Sequence, residues 1–181
     1  MATKSLTIRV ETPDDFPAIR LVVAAAFGQS GEADLVERIR QSSGYIPELA
    51  LVAEIEDSVV GHVMISTASL RHESGERPIA MLAPLAVDPG FQRRGVGRAL
   101  VAAVAALADD AGEAFLVLEG SPDYYSRLGF EPASRYGIEL PLPDWAPSEA
   151  AQVLPLTSFD PGDPTMRGTV SYPPPFEDLE T

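Results

Sequence analysis

The feature that most constrains this 181-residue chain is the segment from Leu82 to Leu100, which reads LAPLAVDPGFQRRGVGRAL. An apolar run passes through a turn into the closely spaced glycines Gly95 and Gly97, and an alanine-rich run with helical apolar spacing follows. Glycines let backbone N–H groups face a ligand without a Cβ in the way, and the amino end of a helix directs unpaired donors and a positive dipole end at the same spot. The segment therefore predicts a strand, a turn and a helix whose amino end binds a polyphosphate.

The charge of this segment is opposite to that of the whole chain. Arg93, Arg94 and Arg98 surround the predicted anion site, whereas the chain carries 27 acidic against 13 basic residues and a formal net charge of −14. This acidity argues against nucleic acid as a partner, because phosphate contacts need lysine and arginine clustered over a wide face. It favours a cationic or neutral substrate instead.

Composition narrows the class of protein further. The chain has no cysteine, which excludes a disulfide framework, thiolate zinc sites and a cysteine nucleophile, and suits a cytosolic protein. Its two histidines, His62 and His72, form no cluster with other ligands, so no metal site is predicted. The chain start lacks the apolar run of a secretory signal, and all apolar runs end before the roughly 18 residues of a membrane span. We expect a soluble, cytoplasmic protein without membrane contact.

Hydrophobic periodicity predicts a domain that contains both helices and strands. Helices are expected after Pro13, over Glu32–Gln41, and from Val96 to a stop at Gly112. Strands are expected at Leu6–Val10, Leu49–Ile55, Val59–Ser66, Ile79–Val87, Ala114–Leu118, Val153–Leu156 and Thr169–Tyr172, and a further strand is expected to begin at Phe130.

Two features of this pattern bear on the predicted site. Pro84 falls in the middle of the Ile79–Val87 strand, where proline cannot donate to a sheet ladder. We therefore expect a bulge, or a parting from the next strand that admits a ligand. A polar turn from His72 to Arg77 is expected to precede this strand. From Pro141 onward the chain is rich in proline, which predicts a core over residues 1–140 and a covering segment of the same domain over residues 141–181.

Two motifs resemble those of the GNAT-type N-acetyltransferases. The run Gln92–Gly97 (QRRGVG) is similar to the family's Gln/Arg-x-x-Gly-x-Gly/Ala signature, and Tyr125–Phe130 (YSRLGF) is similar to its later Tyr-x-x-x-Gly-Phe. Gly61–Val63, Pro122–Tyr125 and Gly168–Val170 resemble a bacterial, YhbS-like subgroup of predicted acetyltransferases. The resemblance implies a single α/β (α+β) domain with a mixed, mostly antiparallel central sheet of about six to seven strands flanked by helices. The sheet should part between the Ile79–Val87 and Ala114–Leu118 strands.

The resemblance also implies acetyl-CoA as co-substrate and an amine of a small molecule or protein as acceptor. The pyrophosphate should lie on the amides from Arg93 to Arg98, with the pantetheine arm along the preceding strand. The implied cofactor-binding residues are Leu85, Ala86, Val87, Gln92, Arg93, Arg94, Gly95, Val96, Gly97 and Arg98. A homodimer is left open.

Catalytic roles follow from the same resemblance. Tyr125 matches the general acid that returns a proton to sulfur, and a phenol with a usual pKa near 10 can donate at neutral pH. The base stays open: Glu119 is one candidate at the end of a strand, and Glu54, His62, His72 or a water chain are others.

Two other functions compete with acetyl transfer. A dinucleotide-binding oxidoreductase would use Gly95-x-Gly97 and Glu119 as its ribose-binding acid, although Leu100 occupies the third glycine position. A non-catalytic acyl-CoA-binding module or sensor is the other alternative. It is favoured by Leu118, which stands where many family members carry an asparagine.

Overall fold

The structure is a computed structural model that describes residues 5–179. Its strands are β1 (Leu6–Val10), β2 (Tyr45–Ile55), β3 (Ser58–His72), β4 (Gly75–Val87), β5 (Phe115–Glu119), β6 (Glu131–Pro132), β7 (Ile138–Glu139), β8 (Ala151–Pro155) and β9 (Gly168–Ser171). Its helices are α1 (Phe16–Phe27), α2 (Gly31–Arg40), α3 (Val96–Asp110) and α4 (Pro122–Ser126). Short 3-10 turns join several of them.

The strands form one sheet in the order β1-β2-β3-β4-β5-β8-β6, and β9 pairs with β3 and β7. Pairing is antiparallel except between β4 and β5 and between β7 and β9, which confirms the predicted mixed, mostly antiparallel sheet. The described residues contain nine strands rather than six to seven. β6 corresponds to the strand expected to begin at Phe130, whereas β7 was not predicted; each has two residues, and β7 is too short to show a strand period in sequence. The largely antiparallel pairing also rules out the doubly wound parallel sheet that a dinucleotide-binding oxidoreductase needs.

Helices cover both faces of the sheet. Successive side chains of β2 point to opposite faces, so both faces carry apolar residues that pack against helices. Leu49 and Leu51 face α3 and pack in one core cluster with Val96 and Leu100. Ala50 and Val52, which point to the opposite face, pack in a second cluster with residues of α1 and α2. In the part of the chain that the structure describes, no helix is both long and apolar enough to cross a membrane.

The predicted parting of the sheet is present between β4 and β5. These parallel strands pair only through Ala80 with Leu116 and Met81 with Val117. Beyond Met81 the register of β4 against β3 is irregular, and the bond preceding Pro84 is a cis peptide. Since proline has no N–H to give, the β4–β5 ladder does not continue past this point.

The hairpin that joins β3 to β4 differs from the prediction. A turn is present within the expected range from His72 to Arg77, but it is shorter than expected: β3 continues to His72 and β4 already begins at Gly75, which leaves only Glu73 and Ser74 for the turn. The physical reason lies far along the chain. The outer end of β3 pairs with β9 through residues Ser69–Arg71, so polar residues at this edge gain strand partners that no local pattern reveals.

The proline-rich segment adds strands to the sheet. β8 pairs with β5 along its whole length, from Phe115 with Pro155 to Glu119 with Ala151. β9 lies on the other side of the parting, against β3. The chain that follows β9 therefore returns toward the carboxyl end of β5, where it brings Tyr172 to Glu119.

Candidate functional site

The amino end of α3 presents unpaired backbone donors. Gly95 precedes the helix in the left-handed conformation, with φ of 83°, which favours glycine. The first helical bond runs from the Ala99 N–H to the Gly95 carbonyl at 3.0 Å. The N–H groups of Val96, Gly97 and Arg98 consequently have no partner within the helix.

The turn between β4 and α3 is held by its own side chains. The Gln92 Nε2 donates to the Val87 carbonyl at 3.0 Å, and the Asp88 carboxylate accepts from the Gly90 N–H at 2.8 Å. Arg93 adopts a left-handed φ of 59°, which is uncommon for a residue with a Cβ. These constraints fix the path of the backbone just before the helix begins.

A cleft of about 450 Å³ lies at this helix end and runs along the last residues of β4. Of the predicted cofactor-binding residues, eight line it: Leu85, Ala86, Val87, Gln92, Arg93, Gly95, Gly97 and Arg98. The other two do not. Arg94 turns away, with its guanidinium 5.6 Å from the Phe91 ring centroid, and the side chain of Val96 is buried in the core, which leaves only its amide for a ligand.

The wall of this cleft is a free strand edge. Leu85, Ala86 and Val87 pair with β3 on one side only, because β5 has already separated from β4. Backbone N–H and C=O groups on the other side of β4 therefore face the cleft without a strand partner. An extended ligand that carries amides can satisfy them as an added strand does.

Tyr124 and Gly97 meet at the floor of the cleft. A Cβ placed on Gly97 would overlap the hydroxyl of Tyr124 and would lie 3.6 Å from the Val87 side chain. Glycine at this position therefore leaves just enough room between α3, β4 and α4. The sequence analysis did not assign Tyr124 to the site. Two adjacent tyrosines carry no sequence signal that tells which of them lines the cleft beside Gly97.

Tyr125 lies between this cleft and a second, larger cavity, and it lines both. Its ring packs edge to face against Phe130, with centroids 5.5 Å apart, and a Cβ on Gly120 would come within 2.6 Å of the ring. Within residues 5–179 its hydroxyl has no hydrogen-bond partner. Burial, followed by the neighbouring Tyr124, raises the pKa of Tyr125 above its ordinary value, so the phenol keeps its proton at neutral pH.

The larger cavity has a volume of about 700 Å³ and opens at the parting of β4 and β5. It shares Phe27, Leu85 and Tyr125 with the cleft, so the two spaces meet at these side chains. Trp145 from the proline-rich segment lies on its wall and is 74% exposed.

Glu119 lies on the wall of the larger cavity at the end of β5. Its Oε2 accepts a hydrogen bond from the Tyr172 hydroxyl at 2.8 Å. Burial and this bond to a carboxylate raise the pKa of Tyr172, which therefore remains a donor that orients Glu119. Tyr172 is a site residue that sequence reasoning missed, because 53 positions separate it from Glu119.

The other candidate bases lie outside both spaces. His62 is fully buried, with its Nε2 2.7 Å from the Glu11 carboxylate, and burial lowers its pKa. Glu54 pairs with Arg9 at 2.8 Å. His72 is the last residue of β3, where its Nδ1 contacts the Ser74 hydroxyl at 3.1 Å, and it lines neither space. Among the described residues, no group of three or more histidine, cysteine, aspartate or glutamate side chains could hold a metal ion.

Comparison with known proteins agrees with this geometry. Residues 7–133 match the family model described as an acetyltransferase (GNAT) domain. The chain is 33% identical over 147 residues to an uncharacterized N-acetyltransferase, YjhQ, from Escherichia coli K12, covering 80% of this chain and 81% of that protein.

Two solved structures share the whole architecture. The GNAT family N-acetyltransferase YhbS from Escherichia coli, solved in complex with CoA, superposes with a TM-score of 0.87 at 29% identity, covering 99% of this chain and 96% of that one. A GNAT family acetyltransferase from Brucella melitensis, solved with acetyl-CoA, has a TM-score of 0.75 at 27% identity, covering 97% of this chain and 100% of that one.

Proposed function

Because the chain belongs to the GNAT acetyltransferase family, we propose that it transfers an acetyl group from acetyl-CoA to an amine. The observation that carries this proposal is the parting of β4 and β5 beside the amino end of α3. A free strand edge next to unpaired helix amides suits a ligand that joins an amide-bearing arm to a pyrophosphate. The two structural relatives solved with CoA and acetyl-CoA support the same ligand.

The residues of the cleft divide between the parts of acetyl-CoA. The amides of Gly95 to Arg98 would bind the pyrophosphate, with Arg93 and Arg98 adding positive charge at the rim. The edge of Leu85, Ala86 and Val87 would bind the pantetheine arm, and Gln92 would hold the turn in place through the Val87 carbonyl. Arg94 and Val96 would contribute their backbone rather than their side chains.

The proposed reaction is direct transfer. The neutral amine attacks the thioester carbonyl, a C–N bond forms, and the C–S bond breaks. Tyr125 gives its proton to the departing sulfur and regains one released from the new amide nitrogen through water. A protonated, half-buried phenol with no competing hydrogen bond at the junction of both spaces suits this task.

Glu119 is the proposed base. An amine that arrives as an ammonium must lose one proton before it can attack. The Glu119 carboxylate, oriented by Tyr172 on the acceptor side, would accept that proton and then release it to solvent. The remaining candidates lie elsewhere in the fold, and a water chain from the cavity is the alternative carrier.

Calorimetric titration and thiol release test the proposal together. Acetyl-CoA should bind to the purified protein while NADH does not, and a panel of amines should include one that accelerates release of CoA thiol. The proposal fails if saturating acetyl-CoA leaves both the heat signal and the melting temperature unchanged.

A non-catalytic acyl-CoA-binding module is the second candidate. It is favoured by Leu118, which is buried and offers the cofactor no polar contact where many family members carry an asparagine. Binding of acetyl-CoA without thiol release in the presence of any amine would identify this function instead.

The same proposal covers domain organisation, location and assembly. We propose that residues 141–181 complete the domain formed by residues 1–140, as the pairing of β8 with β5 supports. A cytoplasmic location and a homodimer stay predictions. Cell fractionation tests the first, and light scattering of the purified protein tests the second.

A further inference from the structure

The cleft at α3 and the larger cavity, which meet at Tyr125, carry side chains of opposite charge. At the end near α3, Arg93 and Arg98 accompany the helix amides. At the other end, beyond Tyr125, the charged side chains that line the larger cavity in the described part of the chain are Glu32 and Glu119, both acidic. Such a cleft suits a polyanion at one end and a cation at the other.

The rest of the larger cavity is mainly apolar and aromatic. Its wall includes Met81, Leu82, Trp145, Phe176 and Leu179. A volume of about 700 Å³ falls in the range of pockets that enclose small molecules. An occupant that fills this space must therefore present a large apolar body to the wall.

The acidic side chains are held so that they can meet a cation. Tyr172 donates to Oε2 of Glu119, which leaves Oε1 for another donor. Gln29 donates to both carboxylate oxygens of Glu32, at 3.2 Å each. No arginine, lysine or histidine of residues 5–179 lines this cavity, so a carboxylate or phosphate on the acceptor would lose its hydration without gaining a cationic partner.

Resting on the acetyl transfer proposed above, we propose that the acceptor is a small primary amine with an aromatic or bulky aliphatic body and no anionic group. The ammonium meets Glu119 and Glu32, and the apolar body packs against Trp145 and Phe176. Free amino acids are excluded by their carboxylate. Short polar amines are poor acceptors because they leave the apolar wall unfilled.

Thiol release with three matched amines tests this inference. The probes are 2-phenylethylamine, phenylalanine, which adds a carboxylate, and ethanolamine, which lacks the ring. We expect kcat/KM for 2-phenylethylamine to exceed that of each of the others by at least about tenfold. Equal or better use of phenylalanine or ethanolamine overturns the inference, as does turnover of a lysine peptide without turnover of 2-phenylethylamine.

A variant pair separates charge recognition from general damage. Glu32→Gln should raise KM for 2-phenylethylamine about three- to fivefold and leave the affinity for acetyl-CoA unchanged. Glu37→Gln is the control, because Glu37 is on the same helix but pairs with Arg20 on the surface at 3.0 Å. An unchanged KM in Glu32→Gln contradicts its role in binding the ammonium.

Calorimetry with acetyl-CoA distinguishes failure of the acceptor inference from failure of the proposed function. Binding of acetyl-CoA without use of 2-phenylethylamine overturns the acceptor class and leaves acetyl-CoA recognition intact. Absence of acetyl-CoA binding overturns the proposed function itself.

Discussion

Replacement of Gly97 by alanine should weaken CoA binding without unfolding the protein. The added Cβ would stand in the cleft, where the proposed CoA site meets the backbone of α3, and it would overlap the Tyr124 hydroxyl. Tyr124 is 41% exposed, so its ring can turn toward solvent at small cost. Alanine also favours the helix by about 0.5–1 kcal/mol over glycine, and the melting temperature should therefore stay constant or rise slightly.

The loss of affinity follows from the bonds that the Cβ displaces. A hydrogen bond from an amide to a charged phosphate oxygen contributes about 1.5–3 kcal/mol. If one such bond is lost, the Kd for CoA should rise about 10- to 150-fold. Isothermal titration calorimetry measures this change, and a thermal melt of the same sample reports stability.

Two further variants isolate the cause. Gly31→Ala is the matched control, since Gly31 begins α2 and an added Cβ would meet nothing closer than 3.7 Å. It should leave CoA binding unchanged. The double variant Gly97→Ala/Tyr124→Phe removes the hydroxyl that the Cβ would overlap, and it should still bind CoA poorly. Restored binding in the double variant, or wild-type affinity in Gly97→Ala, refutes the account of backbone approach.

Three other substitutions give sharp outcomes. Tyr125→Phe should lower kcat by about 10²- to 10⁴-fold and leave the Kd for CoA unchanged. The control variant Tyr124→Phe should keep the kcat of the wild type. Equal turnover in the two variants would contradict the role of Tyr125 as general acid. Glu11→Gln should destabilise the fold by about 3–5 kcal/mol at pH 7, because it leaves the buried Arg40 guanidinium, now 2.9 Å from Glu11, without its counter-ion; urea unfolding measures this. The hydrogen bonds from His62 and Arg40 outweigh burial and lower the pKa of Glu11 to about 2 from an ordinary 4.5, so its contribution of about 3 kcal/mol is present above pH 4.5 and is lost as the pH falls toward 2. The stability of Glu11→Gln should consequently fall less between pH 5 and pH 3 than that of the wild type, and parallel pH curves would contradict the assignment. Gly61→Val should cost about 1–3 kcal/mol and weaken CoA binding, because even a Cβ at Gly61 would lie 2.9 Å from Leu100 on α3; a variant that melts and binds as the wild type does would show that this packing does not position the helix.

The cofactor side of the site could be predicted because its determinants are local. Gly95 and Gly97 set the backbone of a single turn and the first residues of one helix. Pro84 interrupts the sheet through the N–H that it lacks, whatever strand lies beside it. Residue chemistry over fewer than twenty positions thus indicated both the helix end and the free edge of β4.

The acceptor side could not be predicted in the same way, because it is assembled from distant segments. Tyr172 reaches Glu119 only because β9 pairs with β3 and β8 pairs with β5. By sequence, Trp145 could line a substrate pocket or serve as a core or covering residue, and only the fold places it in the cavity wall. The same holds outside the site for His62 and Glu11, whose side chains are in contact although 51 positions separate them. Nothing in the sequence around either residue indicates this contact.

The boundaries of the β3–β4 hairpin illustrate the same limit. Polar residues such as Glu76 and Arg77 indicated a turn, but they lie in β4. Their strand conformation depends on partners at a sheet edge, and Arg77 also donates to Thr165 at 3.1 Å. Tertiary pairing overrides local propensity at such positions.

A crystal structure of the protein with acetyl-CoA tests the central claim most directly. The account predicts pyrophosphate oxygens within about 2.7–3.2 Å of the amide nitrogens between Gly95 and Arg98, and a pantetheine arm hydrogen-bonded along Leu85 to Val87. A complex in which the pyrophosphate lies away from α3, or in which the parting between β4 and β5 stays empty while acetyl-CoA binds elsewhere, would contradict it.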